Sequence, residues 1–454
     1  MRATDRRPAR RFAAAAAIAA IGLLASACSG GAQAPSVSPS QSRAQASASA
    51  SAHAAALAKD LTITPADGSR NTDPAAGITV TAVKGKVTNV TVTPAGSTAS
   101  STAADAVSGR LSNGGTTWRS DRNLSVSQSY TVAVTGTAPS GEKITKTSTF
   151  KTLTPAATFS THIFEGYKQS YGVGMPIILN FSRPVTDKAA VERSLELTTS
   201  KPVIGSWYWD GDEQLYFRPR DYWPANTTVS FTGHFNGVQA AKGVYGTHDL
   251  TQTFLIGRSL IAVASTTTHR TQIYLNGKLT YNWPASLGRP SLPTPDGTYL
   301  SVEKGNPVRM IGGGPAGSAG HYDELVNYAV RFTYSGSYYH SAPWSVGDQG
   351  ITNVSHGCVN LPPADAKIYY DMSIPGDPIT VTASTAAGKW DDGFTEWFFP
   401  WSKFLKGSAT GMAVQAGPQG STFVSPDSLP ADTATAPLET SAPGNYYAGS
   451  ANIH

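Results

Sequence analysis

The sequence predicts a mainly β fold, with two β-sandwiches, a third strand-rich unit that contains one or two helices, and a small aromatic subdomain. Runs such as residues 87–92 and 129–134 alternate Val or Thr with polar or small residues, and Gly, Asn and Pro interrupt them at short intervals. Period-two alternation is typical of half-buried strands. Many short strands separated by turn residues favour sandwiches over parallel α/β folds.

The N-terminus has the pattern of a lipoprotein-type signal peptide, predicted over residues 1–28. Five arginines within the first eleven residues precede an apolar run over 12–24, and small residues lead to Cys28. The apolar run is shorter than the roughly 20 residues of a membrane-spanning helix. Two outcomes stay open: Cys28 is lipidated and anchors the exported protein to the membrane, or cleavage after Ala27 releases a secreted protein.

The charge and the cysteine content exclude some partners and some sources of stability. The formal charge is +5, but the five arginines and Asp5 of the signal supply +4 of it, so the basic charge does not indicate a nucleic-acid partner. Of the two cysteines, Cys28 lies in the signal and Cys358 is the single internal thiol. A structural disulfide is therefore not expected in the folded part.

Residues 29–58 are predicted to form a disordered linker, because Ser, Ala, Gln, Gly and Pro dominate this stretch and bury little apolar surface. Residues 59–155 and 156–257 are each predicted to form an immunoglobulin-like sandwich. The second contains a group of aromatic residues. We expect their side chains to lie in the sandwich core, and stacking against a glycan is the alternative. That group comprises Trp207, Tyr208, Trp209, Tyr222 and Trp223.

The third unit, residues 258–384, combines strands with one predicted helix. Asn276-Gly277 is a two-residue hairpin signal. Prolines begin the predicted helix over 362–371, and a strand returns at 379–382. The aromatic residues of 385–407 are expected to fold back onto this unit rather than face water. Residues 408–454, rich in Ser, Ala, Pro and Gly, are predicted to be a disordered tail.

The segment from Ser355 to Asn360, together with the preceding His340, contains the candidate catalytic residues. Covalent acyl transfer requires at least a nucleophile and a nearby base, and a thiol with a histidine supplies both. His356 lies two residues before Cys358, and Gly357 allows a close approach of the backbone to a substrate. Because a cysteine thiol has a reference pKa near 8.5, a neighbouring histidine is expected to shift it toward the thiolate.

From the residues alone, two other interpretations stay open. His340, His356 and Cys358 match the ligand types of a zinc site, as in a zinc peptidase. A buried cysteine also serves as a small hydrophobic residue without chemistry.

The spacing from His340 through Ser355-His356-Gly357-Cys358-Val359-Asn360 resembles the signature of the L,D-transpeptidases with a YkuD-type catalytic domain. The flanking stretches 340–345 and 294–299 are also similar to that family. The order of a lipoprotein signal, two immunoglobulin-like domains, a catalytic domain and an aromatic subdomain agrees with it as well.

The resemblance implies roles for individual residues. Cys358 is the expected nucleophile and His340 its general base, oriented by the backbone carbonyl of Ser341. The backbone amides around Gly357 and Cys358 are expected to form the oxyanion hole. The remaining site residues are expected to hold the donor or shape the site. These are the lid residue Tyr322, together with Trp344, Ser355, His356 and Asn360.

The resemblance also implies the reaction. A thiolate attacks the tetrapeptide stem of peptidoglycan, D-alanine leaves, and an amine of an acceptor stem takes the acyl group to form a 3→3 cross-link. Neither metal nor cofactor is expected, and carbapenems are expected to acylate the enzyme. Alternatives from other classes are a zinc peptidase, an L,D-carboxypeptidase that hydrolyses wall peptides, and a non-catalytic wall-binding lipoprotein.

Overall fold

The structure is a computed structural model that describes residues 39–96, 107–318 and 321–429. Strands dominate these ranges, so the predicted mainly β class is confirmed. No helix within them is both long enough and apolar enough to cross a membrane. The signal peptide and Cys28 lie outside the described residues.

Residues Pro39–Leu57 form helix α1, so the prediction of a disordered linker is wrong for this stretch. Alanine has the highest helix propensity of the amino acids, and this segment is rich in it, which explains a helix without an apolar face. The described side chains over 43–56 are exposed.

The first sandwich consists of two antiparallel sheets, in the orders β1-β2-β5-β4 and β3-β6-β7. Trp118 and Val80 of one sheet and Tyr130 and Phe150 of the other belong to one buried cluster, so the two sheets enclose a common core. Its strands are β1 (Leu61–Thr64), β2 (Thr79–Ala82), β3 (Lys86–Pro94), β4 (Gly109–Ser112), β5 (Thr117–Ser120), β6 (Ser129–Thr137) and β7 (Lys143–Lys151).

The second sandwich contains strands β8 to β18 and the short helix α2. Strands β9, β11, β14 and β13 pair in antiparallel fashion in one sheet. Strands β10, β18, β15 and β12 form a mixed sheet, in which β10 runs parallel to β18, and β8 joins β17 and β16 in a third sheet. The elements are β8 (Ala157–Phe159), β9 (Thr161–Ile163), β10 (Ser170–Tyr171), β11 (Ile177–Phe181), α2 (Lys188–Arg193), β12 (Leu195–Thr199), β13 (Val203–Asp210), β14 (Gln214–Pro219), β15 (Thr227–Gly233), β16 (Gln239–Ala241), β17 (Val244–Gly246) and β18 (Leu250–Ile256).

The aromatic group of this sandwich is mainly core. Trp207 and Trp223 are almost completely buried, and the ring of Trp207 lies 5.1 Å from that of Phe217. Tyr222 is partly buried and packs 4.3 Å from Trp397 of the aromatic segment. The core interpretation therefore fits these rings better than glycan stacking.

The third unit carries two sheets and a separate hairpin. One sheet has the order β21-β20-β19-β29-β22, the other has the order β23-β26-β27-β28, and β24 pairs with β25 alone. The elements are β19 (Leu260–Ser265), β20 (Arg270–Leu275), β21 (Lys278–Pro284), β22 (Gly297–Leu300), β23 (Glu303–Gly305), β24 (Val308–Gly312), β25 (Tyr322–Val326), β26 (Ala329–Arg331), β27 (Tyr338–Ser341), β28 (Val359–Leu361), α3 (Pro363–Met372) and β29 (Pro378–Thr382).

Helix α3 and the aromatic segment both pack against strands of this unit. Tyr369 of α3 is buried, and its ring lies 4.7 Å from that of Tyr339 on β27. Phe398 is buried 4.9 Å from the ring of Tyr299. The aromatic segment, which includes helix α4 (Trp401–Leu405), thus folds back onto the third unit as expected.

The same aromatic segment also contacts the second sandwich, which the sequence did not predict. Phe404 stacks 5.0 Å from the ring of Tyr208, and an Nη of Arg218 donates to the carbonyl of Phe399 at 2.7 Å. The segment therefore packs between the second sandwich and the sheets of the third unit.

The prediction of a disordered tail is wrong for residues 408–429. Strands β30 (Ala413–Gly417) and β31 (Gly420–Val424) form a hairpin, and β30 pairs with β13 of the second sandwich. Val414 and Ala416 are buried there. The sequence did not predict this short strand, because its small residues match the composition of a flexible tail. Residues 430–454 of the predicted tail lie outside the described residues.

Glu192 of helix α2 anchors this C-terminal segment. Its carboxylate is fully buried (0% exposed). It accepts hydrogen bonds from the indole of Trp209, the hydroxyl of Ser408, the backbone of Ala409, and both the backbone and the hydroxyl of Thr410, at 2.6–3.1 Å. These donors compensate the cost of burying a charge.

We expect Glu192→Ala to lower the free energy of unfolding by about 3 kcal/mol or more, because buried donors would lose their acceptor. Urea unfolding measures the effect, and hydrogen exchange should show faster exchange over 413–424. Glu213→Ala, at an exposed turn, is the matched control and should stay within about 0.5 kcal/mol of the parent. An unchanged urea midpoint for Glu192→Ala would contradict the anchoring role.

Candidate active site

Two neighbouring strands bring the predicted nucleophile and base to one place. Strand β27 pairs with β28 in parallel, with His340 opposite Asn360. Cys358 directly precedes β28, two residues before Asn360. Because side chains alternate along a strand, Cys358 and His340 lie on the same face of this sheet.

His340 is held in one tautomer. It is 4% exposed, and its Nδ1 lies 2.9 Å from the backbone carbonyl of Ser341. Since a carbonyl only accepts hydrogen bonds, Nδ1 carries the proton and Nε2 keeps a free lone pair. Burial lowers the pKa of the imidazole, and the Ser341 carbonyl opposes this with a smaller effect. His340 is therefore a neutral base at pH 7.

The thiol of Cys358 is neutral as well. Burial raises its pKa to about 11, and the backbone N–H of Tyr338 lowers it by less. The Sγ contacts the carbonyl of Gly336 at 3.8 Å, and no hydrogen bond joins it to His340 in the described part of the chain. Burial favours the neutral thiol in this resting structure, and the expectation of a thiolate beside the imidazole stays a prediction.

Ser355 holds the loop that carries the nucleophile. Its hydroxyl donates to the carbonyl of Cys358 at 2.6 Å and accepts from the backbone N–H of Gly357 at 3.1 Å. Gly357 has φ of 124°, which only glycine adopts without strain. The N–H of Gly357 is therefore engaged within the loop in this structure, and its role in the oxyanion hole stays a prediction.

Two of the residues expected to bind substrate act inside the protein. Asn360 is 3% exposed, and its Nδ2 donates to the hydroxyl of Ser345 at 3.0 Å. Ser355 is also buried, with its hydroxyl engaged in the loop. The structure thus gives both a supporting role. Trp344, by contrast, is 54% exposed and lies 6.0 Å from the ring of His340, where a substrate has access to it.

The hairpin of β24 and β25 reaches the nucleophile loop through Tyr322. Its ring lies 4.7 Å from that of the exposed His356. The pKa of Tyr322 is raised mainly by burial, with further effects from Cys358 and Glu324. This arrangement places the expected lid tyrosine against His356, two residues before the thiol.

Sequence reasoning missed three contributors to this site. Gly336 supplies the carbonyl that meets the thiol. Arg289 donates its backbone N–H to the carbonyl of Ser355 at 3.0 Å. The charge of Glu324 acts on both Tyr322 and His356. None stands close to Cys358 in sequence, and no local pattern distinguishes them.

The ligand set of the zinc alternative is not assembled. Within the described ranges, no three His, Cys, Asp or Glu side chains converge as metal ligands. In addition, Nδ1 of His340 is already committed to the carbonyl of Ser341.

Comparison with known proteins agrees with this architecture. The family model of the L,D-transpeptidase catalytic domain matches residues 259–381, which contain His340 and Cys358. The model of a bacterial Ig domain matches residues 69–239, a range that includes parts of both sandwiches.

Similar proteins cover between about half and about four fifths of the chain. L,D-transpeptidase 2 of Mycobacterium tuberculosis is 32% identical over 78% of this chain and 86% of its own length. L,D-transpeptidase 1 of the same species is 41% identical over 46% of this chain and 79% of its own length. A solved L,D-transpeptidase structure in complex with imipenem is 39% identical over 50% of this chain and all of its own, with a TM-score of 0.43.

The neutral thiol has a measurable consequence. We expect alkylation of Cys358 by iodoacetamide to be slow at pH 7 and to rise about tenfold per pH unit toward pH 11, since only the thiolate reacts. Mass spectrometry of the Cys358 peptide at each pH gives the profile. A small-molecule thiol under the same conditions should level off near pH 8.5, its ordinary pKa. A plateau for Cys358 that begins below pH 7 would indicate a thiolate–imidazolium pair instead.

Proposed function

The chain belongs to the L,D-transpeptidases, acyltransferases that cross-link peptidoglycan, and we propose that its reaction passes through a thioester on Cys358. The observation that carries this mechanism is the hydrogen bond between His340 and the Ser341 carbonyl. It leaves Nε2 of His340 with a lone pair on the face of the sheet that also carries Cys358.

The first step is acylation by a tetrapeptide stem. The thiol rotates from the Gly336 carbonyl toward His340, gives its proton to Nε2, and the sulfur attacks the carbonyl that precedes the terminal D-alanine. The C–N bond then breaks, the imidazolium protonates the departing nitrogen, and D-alanine leaves. Since both groups start neutral, no buried ion pair has to exist before the donor arrives.

The developing oxyanion needs backbone donors. The N–H of Gly357 already donates a hydrogen bond to the hydroxyl of Ser355. We therefore assign the N–H of Cys358 as a donor to the oxyanion. The short bond from Ser355 to the Cys358 carbonyl holds the following peptide group, between residues 358 and 359, in place. Ser355 and Asn360 thus support the reaction without contact with the substrate.

The second step transfers the acyl group. An amine of a neighbouring stem attacks the thioester, His340 takes a proton from the nitrogen, and the thiol is regenerated with a 3→3 cross-link as product. Tyr322 and the hairpin of β24 and β25 cover the thioester and reduce the access of water. Trp344, exposed beside His340, offers an apolar surface to the stem.

Carbapenems are proposed to acylate the same sulfur. Their strained lactam carbonyl accepts attack by the thiol in the way that the stem carbonyl does. The imipenem complex reported for a similar protein agrees with this proposal.

We expect Cys358→Ala to abolish both D-alanine release from a tetrapeptide stem and the covalent carbapenem adduct, because no other described thiol is present. His340→Ala should slow acylation by a factor on the order of 10² or more, since the neutral thiol would lose its base. Intact-protein mass spectrometry and analysis of released D-alanine measure both effects.

The matched control is His162→Ala, an exposed histidine on β9 of the second sandwich, which should retain full activity. D-alanine release by Cys358→Ala would disprove the thioester route. Loss of activity on chelation, restored by zinc, would favour the zinc peptidase, and release of D-alanine without any transfer product would favour an L,D-carboxypeptidase.

Export and lipid anchoring are proposed from the N-terminal pattern alone. The signal over residues 1–28 would place a diacylated Cys28 in the membrane, with the catalytic unit facing the cell wall. Metabolic labelling with a fatty-acid analogue should mark the wild type, and Cys28→Ser should lose the label and enter the medium. Equal labelling of both forms would exclude Cys28 as the anchor.

A further inference from the structure

The turn between β26 and β27 supplies backbone groups that surround the nucleophilic sulfur. The carbonyl of Gly336 contacts the Sγ of Cys358 at 3.8 Å, and the backbone N–H of Tyr338 acts on the same thiol. Gly336 has φ of 109°, a conformation that glycine adopts without strain. Because these contacts come from the backbone, the position of the turn decides where the sulfur rests.

Thr333 holds the inner side of this turn. Thr333 is fully buried, and its hydroxyl accepts hydrogen bonds from the N–H of Gly336 at 3.2 Å and the N–H of Ser337 at 2.7 Å. The N–H of Phe332 also donates to the carbonyl of Ser337 at 3.0 Å. The tip of the turn is different, because Ser335 is exposed to solvent. The inner side is thus bonded within the turn, whereas the tip needs a partner from elsewhere.

Asp392 of the aromatic segment provides that partner. Its Oδ1 accepts from the N–H of Ser335 at 2.6 Å, and its Oδ2 accepts from the hydroxyl of Ser335 at 2.6 Å. Hydrogen bonds to an ionised carboxylate are shorter and roughly twice as strong as those between neutral groups. Both oxygens therefore bind one residue at the tip, directly before the Gly336 whose carbonyl meets the thiol.

The neighbours of Asp392 in sequence fix it independently of the turn. Gly393, with φ of 119°, passes so close to the end of β26 that a Cβ atom on it would lie 2.7 Å from the carbonyl oxygen of Phe332. The indole of Trp390 donates to the carboxylate of Asp210 in the second sandwich at 3.0 Å. The segment that carries Asp392 is therefore held on both sides, and the carboxylate is a fixed point for the mobile tip.

We propose that Asp392 is a positioning residue for the Cys358 thiol, and that it acts through Ser335. Its two hydrogen bonds fix the turn whose Gly336 carbonyl contacts the sulfur, so that the thiol stays within a rotation of His340. Loss of the carboxylate frees the tip of the turn. Water then reaches the sulfur more readily, and the thiol meets the imidazole less often. The inference rests on the proposed function, because it concerns the thiol that forms the thioester.

Alkylation of Cys358 tests the position of the sulfur without any substrate. We expect iodoacetamide at pH 7 to react with Asp392→Ala about threefold faster or more than with the wild type. The reason is that burial is the main cause that raises the pKa of the thiol, and a loosened turn admits water. Mass spectrometry of the Cys358 peptide at a series of pH values gives the profile, which should level off at a lower pH in the variant.

Acylation by a donor should change in the opposite direction. For Asp392→Ala we expect the kcat of D-alanine release from a tetrapeptide stem to fall by about tenfold, with the KM within about twofold, since a misplaced nucleophile slows attack rather than donor binding. Acylation by a carbapenem should slow by a similar factor, because both donors react with the same sulfur. Intact-protein mass spectrometry and analysis of released D-alanine measure these rates.

Two further variants separate positioning from a general loss of stability. Asp392→Asn keeps one oxygen for the N–H of Ser335 and should give an intermediate effect on both measurements. Ser335→Ala removes the hydroxyl that binds Oδ2 and should change both rates in the same directions as Asp392→Ala. In the Ser335→Ala background, Asp392→Ala should alter the alkylation rate by a smaller factor than it does in the wild type, since the two residues act as one unit.

The matched control is Asp391→Asn, the same chemical change at the exposed neighbouring residue, whose φ of 70° asparagine also adopts. It should match the wild type in every assay. A Tm within about 3 °C of the wild type verifies that a variant is folded.

Wild-type alkylation and kcat in folded Asp392→Ala overturn the inference, as do equal factors in the two backgrounds. If Asp392→Ala does not fold, wild-type rates in both Asp392→Asn and Ser335→Ala overturn it. Absence of D-alanine release from the wild type would instead refute the proposed function, and the alkylation profile would still measure the position of the thiol.

Discussion

The hydrogen bond from His340 to the carbonyl of Ser341 is the interaction on which the site depends. It selects the tautomer whose Nε2 accepts a proton, and it uses a backbone group that no side-chain substitution removes. Burial keeps both this imidazole and the Cys358 thiol neutral at rest. In the proposed mechanism, the proton therefore passes from the sulfur to the imidazole only after the donor has bound.

The surrounding fold holds two short strands in a register that makes this arrangement possible. Strand β27 is covered by the buried Tyr369 of α3, and β28 is fixed to the segment around Ser286 by reciprocal backbone bonds from Asn360. The Ser355 hydroxyl bonds to the backbone of the loop, and Asn360 donates to Ser345 behind it. A buried, hydrogen-bonded shell of this kind keeps a reactive loop rigid without occupying the face that the substrate approaches.

The second sandwich and the C-terminal segment form part of the same packing unit. The aromatic segment contacts Tyr208 on one side and Tyr299 on the other, and Glu192 fixes the chain that follows it. The hairpin of β30 and β31 then extends a sheet of the second sandwich. The sandwich thus supports the catalytic sheets in addition to any role as a spacer.

The sequence by itself determined the β class, the hairpin and helix signals of the third unit, and the identity of His340 and Cys358, because alternation, turn residues and a long motif are local properties of the chain. It failed for α1 and for β30, where small residues fit a helix, a strand or a flexible tail equally well. Only the tertiary structure decided that burial favours a neutral Cys358 thiol and that the Gly357 N–H donates to Ser355. Burial, hydrogen-bond partners and the distances between charges arise from residues far apart in sequence, so no local pattern encodes them.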